Sequence, residues 1–147
     1  MSHDVQCREN RIVAHFKNGK LLKGYTENFV PAQETFRLRS AYGKDRINTY
    51  EVRTTDLKAL FFVKTLEGNK EYSEKREFDG VGTSNIRGTK IKAVFADGEV
   101  IRGANFDYSK IFNGFYITPI DPQSNNERVY VVKDSTRNIV VGSAAKK

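Results

Sequence analysis

The sequence predicts an all-β protein made of two small five-stranded barrels in tandem. Three observations carry that expectation. The chain repeats itself: displaced by 79 residues, Arg11–Val63 falls on Lys90–Gly142 without a gap. Ile12, Ala14, Phe16, Gly19, Gly24 and Phe36 then meet the identical residues Ile91, Ala93, Phe95, Gly98, Gly103 and Phe115. Apolar class is also kept, with Leu21 on Val100, Leu22 on Ile101, Leu38 on Ile117 and Leu60 on Ile139. Within each copy, apolar residues alternate with polar ones at period two, the mark of a half-buried strand. Neither copy shows a long helical period.

The elements follow in order. Residues 1–10 are polar. Arg11–Lys17 alternates with Ile12, Ala14 and Phe16 on one face, a first strand. Asn18-Gly19 is a hairpin signal, because both residue types tolerate positive φ. Lys20–Thr26 returns as the second strand, with Gly24 inside it where a glycine marks a bulge or sharp bend. After a loop around Pro31 come Thr35–Arg39, the polar loop Ser40–Asn48, and Thr49–Arg53. The turn Thr54-Thr55-Asp56 leads to a fifth strand, Leu60–Val63. The second copy runs Lys90–Phe95, Asp97-Gly98, Glu99–Asn105 with Gly103 at the bend, Gly114–Thr118, the loop Pro119–Asn126, Glu127–Val132 and Asn138–Val141. Five short strands in so few residues describe a strongly bent barrel of the SH3-like or Sm-like type. The expected organisation is therefore 11–66 for the first barrel, 67–89 for a polar and then glycine-rich linker, and 90–142 for the second barrel. One such barrel buries little area alone, so the two should pack together.

Composition narrows the function classes. The chain has 147 residues, 38% hydrophobic and 29% charged, an ordinary globular balance. No apolar run reaches the length of a membrane span, and the N-terminal residues lack the basic start and apolar core of a signal peptide. Cys7 is the single cysteine, which excludes an intramolecular disulfide framework; it reads as a plain thiol, and a cytoplasmic location is expected. The formal net charge is +7, with 12 Lys/Arg against 7 Asp/Glu in residues 1–66 and 9 against 6 in residues 90–147. Such a balance suits a polyanionic partner or a well-solvated surface.

Two resemblances attach to particular residues. Val94–Asp107, with Asp97-Gly98, Gly103 and Phe106-Asp107, resembles the first motif of the Sm family. That resemblance implies a uridine-binding pocket on a ring-shaped oligomer, with Asp107 in the place of the family's Asp and Asn113 near that of its Asn. The second Sm motif should carry a glycine where Val132-Lys133-Asp134 stands, and the first copy has Asn28 in place of the Asp and Glu34 opposite Asn113. The run Asp97–Val100, Gly103, Gly114–Ile117, Asp121-Pro122 and Asn125–Val132 is similar to a small bacterial β-domain family of unknown function, found alone, repeated or attached to signalling proteins. It covers the second copy best and implies no activity.

Alternation sorts the outward side chains. In the first copy they include Val13, His15, Arg37, Arg39, Glu51, Arg53 and Phe61; in the second, Tyr116, Tyr130, Val132 and Val140. The second outer face is the more apolar. It should pack against the first copy or another subunit, or serve as a peptide groove, which makes Tyr116, Tyr130 and Val132 protein-interface candidates. The first copy offers a basic face. Arg37, Arg39, Lys44, Arg46 and Arg53 are its phosphate or nucleic-acid candidates, with Tyr25, Tyr42 and Tyr50 available for base stacking. The plainer reading is a charged edge that discourages aggregation.

Catalytic and cofactor signatures are missing. Gly80-Val81-Gly82 lacks the lysine of a P-loop, and the paired-arginine and Asp/Asn-x-Ser-x-x-Gly motifs of a PilZ cyclic-dinucleotide site are not present in order. His3 and His15 have no triad partners, and no Cys/His spacing suits a metal. The expectation is a non-enzymatic binding module without cofactor. It would engage a protein partner or a second copy, with RNA or another phosphate ligand as the alternative and no membrane association.

Overall fold

Hairpin chemistry and alternation build ten strands: β1 (Asn10–Phe16), β2 (Leu21–Thr26), β3 (Thr35–Ser40), β4 (Thr49–Arg53), β5 (Leu57–Val63), β6 (Thr89–Phe95), β7 (Val100–Asn105), β8 (Gly114–Pro119), β9 (Asn126–Val132) and β10 (Thr136–Val141). The computed structural model describes residues 9–27, 29–40, 49–68, 88–106, 113–121 and 123–146. The segment read as a linker falls mostly outside these residues. All described strand pairs are antiparallel, and they form one open sheet in the order β10-β6-β7-β8-β9-β5-β1-β2-β3-β4. The protein is all-β, with short 3-10 turns at Thr54–Asp56, Lys133–Ser135 and Gly142–Lys146.

Both β1–β2 and β6–β7 close through the expected Asn-Gly and Asp-Gly. Only the glycines take positive φ, 91° at Gly19 and 96° at Gly98. The Gly19 amide donates to the Phe16 carbonyl and the Phe16 amide to the Lys20 carbonyl, which makes a three-residue loop, one residue wider than the tightest hairpin. Asn18 Oδ1 accepts from the Lys20 amide at 2.9 Å, and Asp97 Oδ1 from the Glu99 amide at 3.0 Å. The side-chain oxygen is what these residues contribute, rather than a tolerance of positive φ.

Strand pairing in the second half copies the first at the same 79-residue offset. Ile12 faces Gly24 and Phe62, Ile91 faces Gly103 and Val141, and Phe36 faces Val52 where Phe115 faces Val131. The halves join where β5 pairs with β9, Ala59 facing Val131, Leu60 facing Tyr130 and Phe61 facing Val129.

That joint shapes the interior. β5 sends Ala59, Phe61 and Val63 into one apolar cluster, with Ile91, Phe95, Phe115 and Val131. It sends Leu60 and Phe62 into another, with Ile12, Phe36, Leu38, Tyr130 and Val132. Each cluster therefore draws on both halves. Val13 and Phe61, expected to face outward, are buried, because the β1–β5 surface of the first half is covered by the second. Tyr130 and Val132 are buried against the first half for the same reason. Strands β5 and β10 begin earlier than expected, at Leu57 and Thr136, since pairing with Phe16 and Phe95 extends them beyond their apolar runs. The 3-10 turn at Gly142–Lys146, unanticipated, buries Ala145, whose carbonyl accepts from Arg102 Nε at 3.2 Å.

Candidate groove between the halves

Period two on β9 puts Arg128, Tyr130 and Val132 on one face, and pairing sets Phe62 beside Arg128 and Tyr116 beside Tyr130. The β2–β3 loop brings Phe29 onto the same surface. An aromatic band results. Phe29 packs edge-on to Phe36 at 5.0 Å and to Tyr130 at 5.3 Å, Tyr130 meets Tyr116 at 5.2 Å, and Tyr116 lies 6.1 Å from Phe62. The Arg128 guanidinium caps one end, 4.3 Å from the Phe62 ring and 5.1 Å from that of Tyr116. Burial pushes the Tyr116 phenol up and that of Tyr130 up to about 12, so both stay protonated in ordinary buffers.

Two hollows flank this band and share Pro31. One, of about 370 Å³, is lined by Asn105, Phe106, Tyr116, Thr118, Arg128 and Tyr130 among others. Phe106 is 64% exposed at its rim, the most exposed large apolar side chain among the described residues. The other, of about 550 Å³, lies between the β2–β3 loop of the first half and the start of β10, with Glu34, Thr54, Asn113, Lys133, Asp134 and Arg137 along it. The Lys133 amide donates to the Asn113 carbonyl at 2.8 Å, which fixes the 3-10 turn against the head of β8.

Ion pairs also tie the halves together. Lys58 reaches Asp97 at 2.8 Å and also Glu99, while its Nζ sits 4.7 Å from the Phe95 ring. Ser135 Oγ donates to the Lys58 carbonyl at 2.8 Å, and Lys17 pairs with Asp134 at 2.6 Å. His15 packs 4.2 Å from the Phe61 ring. Burial lowers its pKa to about 4, the outcome of desolvation over the pull of Glu99.

The candidate residues fall in different places. Arg37, Arg39 and Arg53 share the outer face of β3–β4, as their spacing requires, but Glu51 lies directly opposite Arg37. Arg39 is clamped by Glu9 through Nε at 3.2 Å, and stacks 4.8 Å from Tyr25. Lys44, Arg46, Tyr42 and Asp107 lie outside the described residues. Of the interface candidates, Tyr116 and Tyr130 line the smaller hollow and Val132 the larger, but only Tyr116 is half-exposed; Tyr130 and Val132 are buried. Asn113 lines the larger hollow. Phe106, Arg128 and Pro31 were not anticipated as site residues. Arg128 could have been found as the cation that continues the Tyr130–Val132 stripe by one step of two.

Among the described residues no group of three or more His, Cys, Asp or Glu side chains could hold a metal ion, and no helix is long and apolar enough to cross a membrane. A sequence model of a family of unknown function, DUF6982, matches residues 8–142, and the chain belongs to that family. No curated protein and no solved structure matches the chain.

Proposed function

We propose that the chain is a non-enzymatic binding module of two fused five-stranded barrels of the Sm/SH3-like kind, whose groove takes an extended acidic segment of a protein partner. The tandem reading draws support from the strand orders β5-β1-β2-β3-β4 and β10-β6-β7-β8-β9, which match element by element at one offset. The groove reading rests on one observation: exposed Phe106 and Arg128 flank half-buried Tyr116 beside a hollow backed by packed aromatics. Arg128 forms no ion pair among the described residues, so a carboxylate of the partner is its natural complement. An apolar partner side chain against Phe106 and Tyr116 would supply the anchor typical of such contacts. The chain's net charge of +7 favours an acidic partner at long range. A cytoplasmic setting fits the single cysteine.

Selection of displayed random peptides on the immobilised full chain tests this. Enriched peptides should pair an acidic residue with an aromatic or large aliphatic one. The Phe106→Ser/Arg128→Glu variant should lose them by at least about tenfold. Equal enrichment on the wild type and this variant would remove the groove reading. The nucleic-acid alternative has its own arm: labelled single-stranded RNA that binds with a steep salt dependence, lost in Arg37→Ala/Arg39→Ala, would transfer the function to the β3–β4 face.

A further inference from the structure

The ordered sheet ends at two strands, β4 and β10, and these are not arbitrary edges. At the 79-residue offset β4 is the counterpart of β9, and β10 the counterpart of β5. Inside the chain β5 and β9 pair with each other. Among the described residues, the two strands that end the sheet are therefore second versions of the two surfaces that already fit together. We infer that a second copy of this chain lays its β10 against β4 of the first, antiparallel and head to tail, in the register of the β5–β9 joint.

The transposed register is specific. Ala59 facing Val131 becomes Asn138 facing Val52, and Phe61 facing Val129 becomes Val140 facing Tyr50. Phe61 and Val129 are buried at the internal joint, while Tyr50 is 43% exposed and Val140 half-exposed on the strands that end the described sheet. An apolar pair waiting on two edges is what a second copy would cover. Neither strand carries proline or lysine, their charged residues being Glu51 and Arg53 on β4 and Arg137 on β10, and β10 ends in Ile139-Val140-Val141, a β-branched run. Arg137 falls opposite Arg53 in this register, a like-charge contact at one end of the seam. The 3-10 turn after β10 folds back toward β6 and β7, through the Ala145 carbonyl and Arg102, instead of prolonging the strand. The inference rests on the equivalence of the halves proposed above, and is independent of the groove.

Sedimentation velocity of the full chain over about a hundredfold concentration range reads it directly. The expected result is reversible association that is lost in Tyr50→Lys and in Val140→Lys, both at surface positions. Because the contact is head to tail, each variant keeps one good edge, so an equimolar mixture of the two should form a 1:1 dimer and nothing larger. Arg137→Glu should tighten association by about three- to tenfold by facing Arg53 with an opposite charge. Hydrogen exchange on the wild type needs no variant: amides of residues 50–53 and 138–141 should gain protection as concentration rises. A chain that stays monomeric throughout, or association unchanged by both edge variants, overturns the inference. Groove binding that persists in such a monomer would leave the proposed function standing.

Discussion

The backbone of Gly24 passes so close to that of Arg39 that a Cβ on Gly24 would lie 2.1 Å from the Arg39 carbonyl oxygen. Gly103 stands in the same relation to Thr118, also at 2.1 Å. In each half the glycine backbone of β2 or β7 crowds against the next strand, and only hydrogen fits there. Gly24→Ala and Gly103→Ala should each cost about 2–4 kcal/mol, read as a fall in the urea midpoint by circular dichroism. Gly98→Asn meets open space and should cost only about 1 kcal/mol or less, although φ is positive there.

His15 makes stability depend on pH. Its folded pKa is near 4 and its unfolded value near 6.5. Above pH 6.5 both states are neutral there, and the full contribution is present. Between 6.5 and 4 the unfolded state binds a proton that the folded state does not, so stability falls as pH falls; below 4 the loss levels off. The loss should reach roughly 1–3 kcal/mol. His15→Val, the residue found at the equivalent position 94, should flatten this part of the profile. Urea melts of both proteins at pH 7.5, 5.5 and 4 measure the difference, and parallel profiles would assign the pH dependence to other groups.

Tyr130 is the keystone of the joint, 2% exposed and packed on Tyr116 and Phe29. Tyr130→Ala should cost about 3–5 kcal/mol. Both clusters meet on β9, so the two halves should unfold in one transition by far-ultraviolet circular dichroism and tyrosine fluorescence. Two separate transitions in the wild type would show that each half is stable alone.

Lys58 joins β5 to the β6–β7 turn through Asp97 and Glu99, and its side chain is only 13% exposed. Lys58→Met keeps the stem over Phe95 and removes the charge. Since both carboxylates retain access to water, the cost should be about 1 kcal/mol, and raising salt should shrink it. A loss of several kcal/mol in chemical denaturation would mean the network is far less hydrated than its exposure indicates.

On the β3–β4 face, Glu9 and Glu51 already occupy the surroundings of Arg39 and Arg37. Single-stranded RNA should therefore bind at physiological salt no more tightly than non-specific ligands, with Kd of about 10⁻⁴ to 10⁻⁶ M. Fluorescence anisotropy with Arg37→Ala/Arg39→Ala as the comparison checks it. Tight binding lost in that variant would favour the nucleic-acid reading.

Local chemistry was legible in the chain. Asn18-Gly19 and Asp97-Gly98 marked the turns and the alternation of Ile12, Ala14 and Phe16 a strand, while Gly24 and Gly103, read as bends, are where strand backbones approach too closely for a Cβ. These depend on φ, ψ and side-chain period, all properties of neighbours in sequence. Leu60-Phe61-Phe62-Val63 and Val129-Tyr130-Val131-Val132 also carried a signal, since four apolar residues in succession imply burial on both faces. Alternation alone placed Phe61, Tyr130 and Val132 outward, because period two sorts faces without saying what covers either one.

The all-β class and the places of the hairpin turns are readable from residues adjacent in the chain. The pairing of β5 with β9 is not readable there, and from that pairing come the shared interior, the burial of Tyr130 and Val132, and the groove at Pro31, Phe106 and Arg128. The reason is physical. A hairpin is closed by a few adjacent residues, whereas joining strands more than sixty residues apart depends on which apolar surfaces remain uncovered once every hairpin has formed.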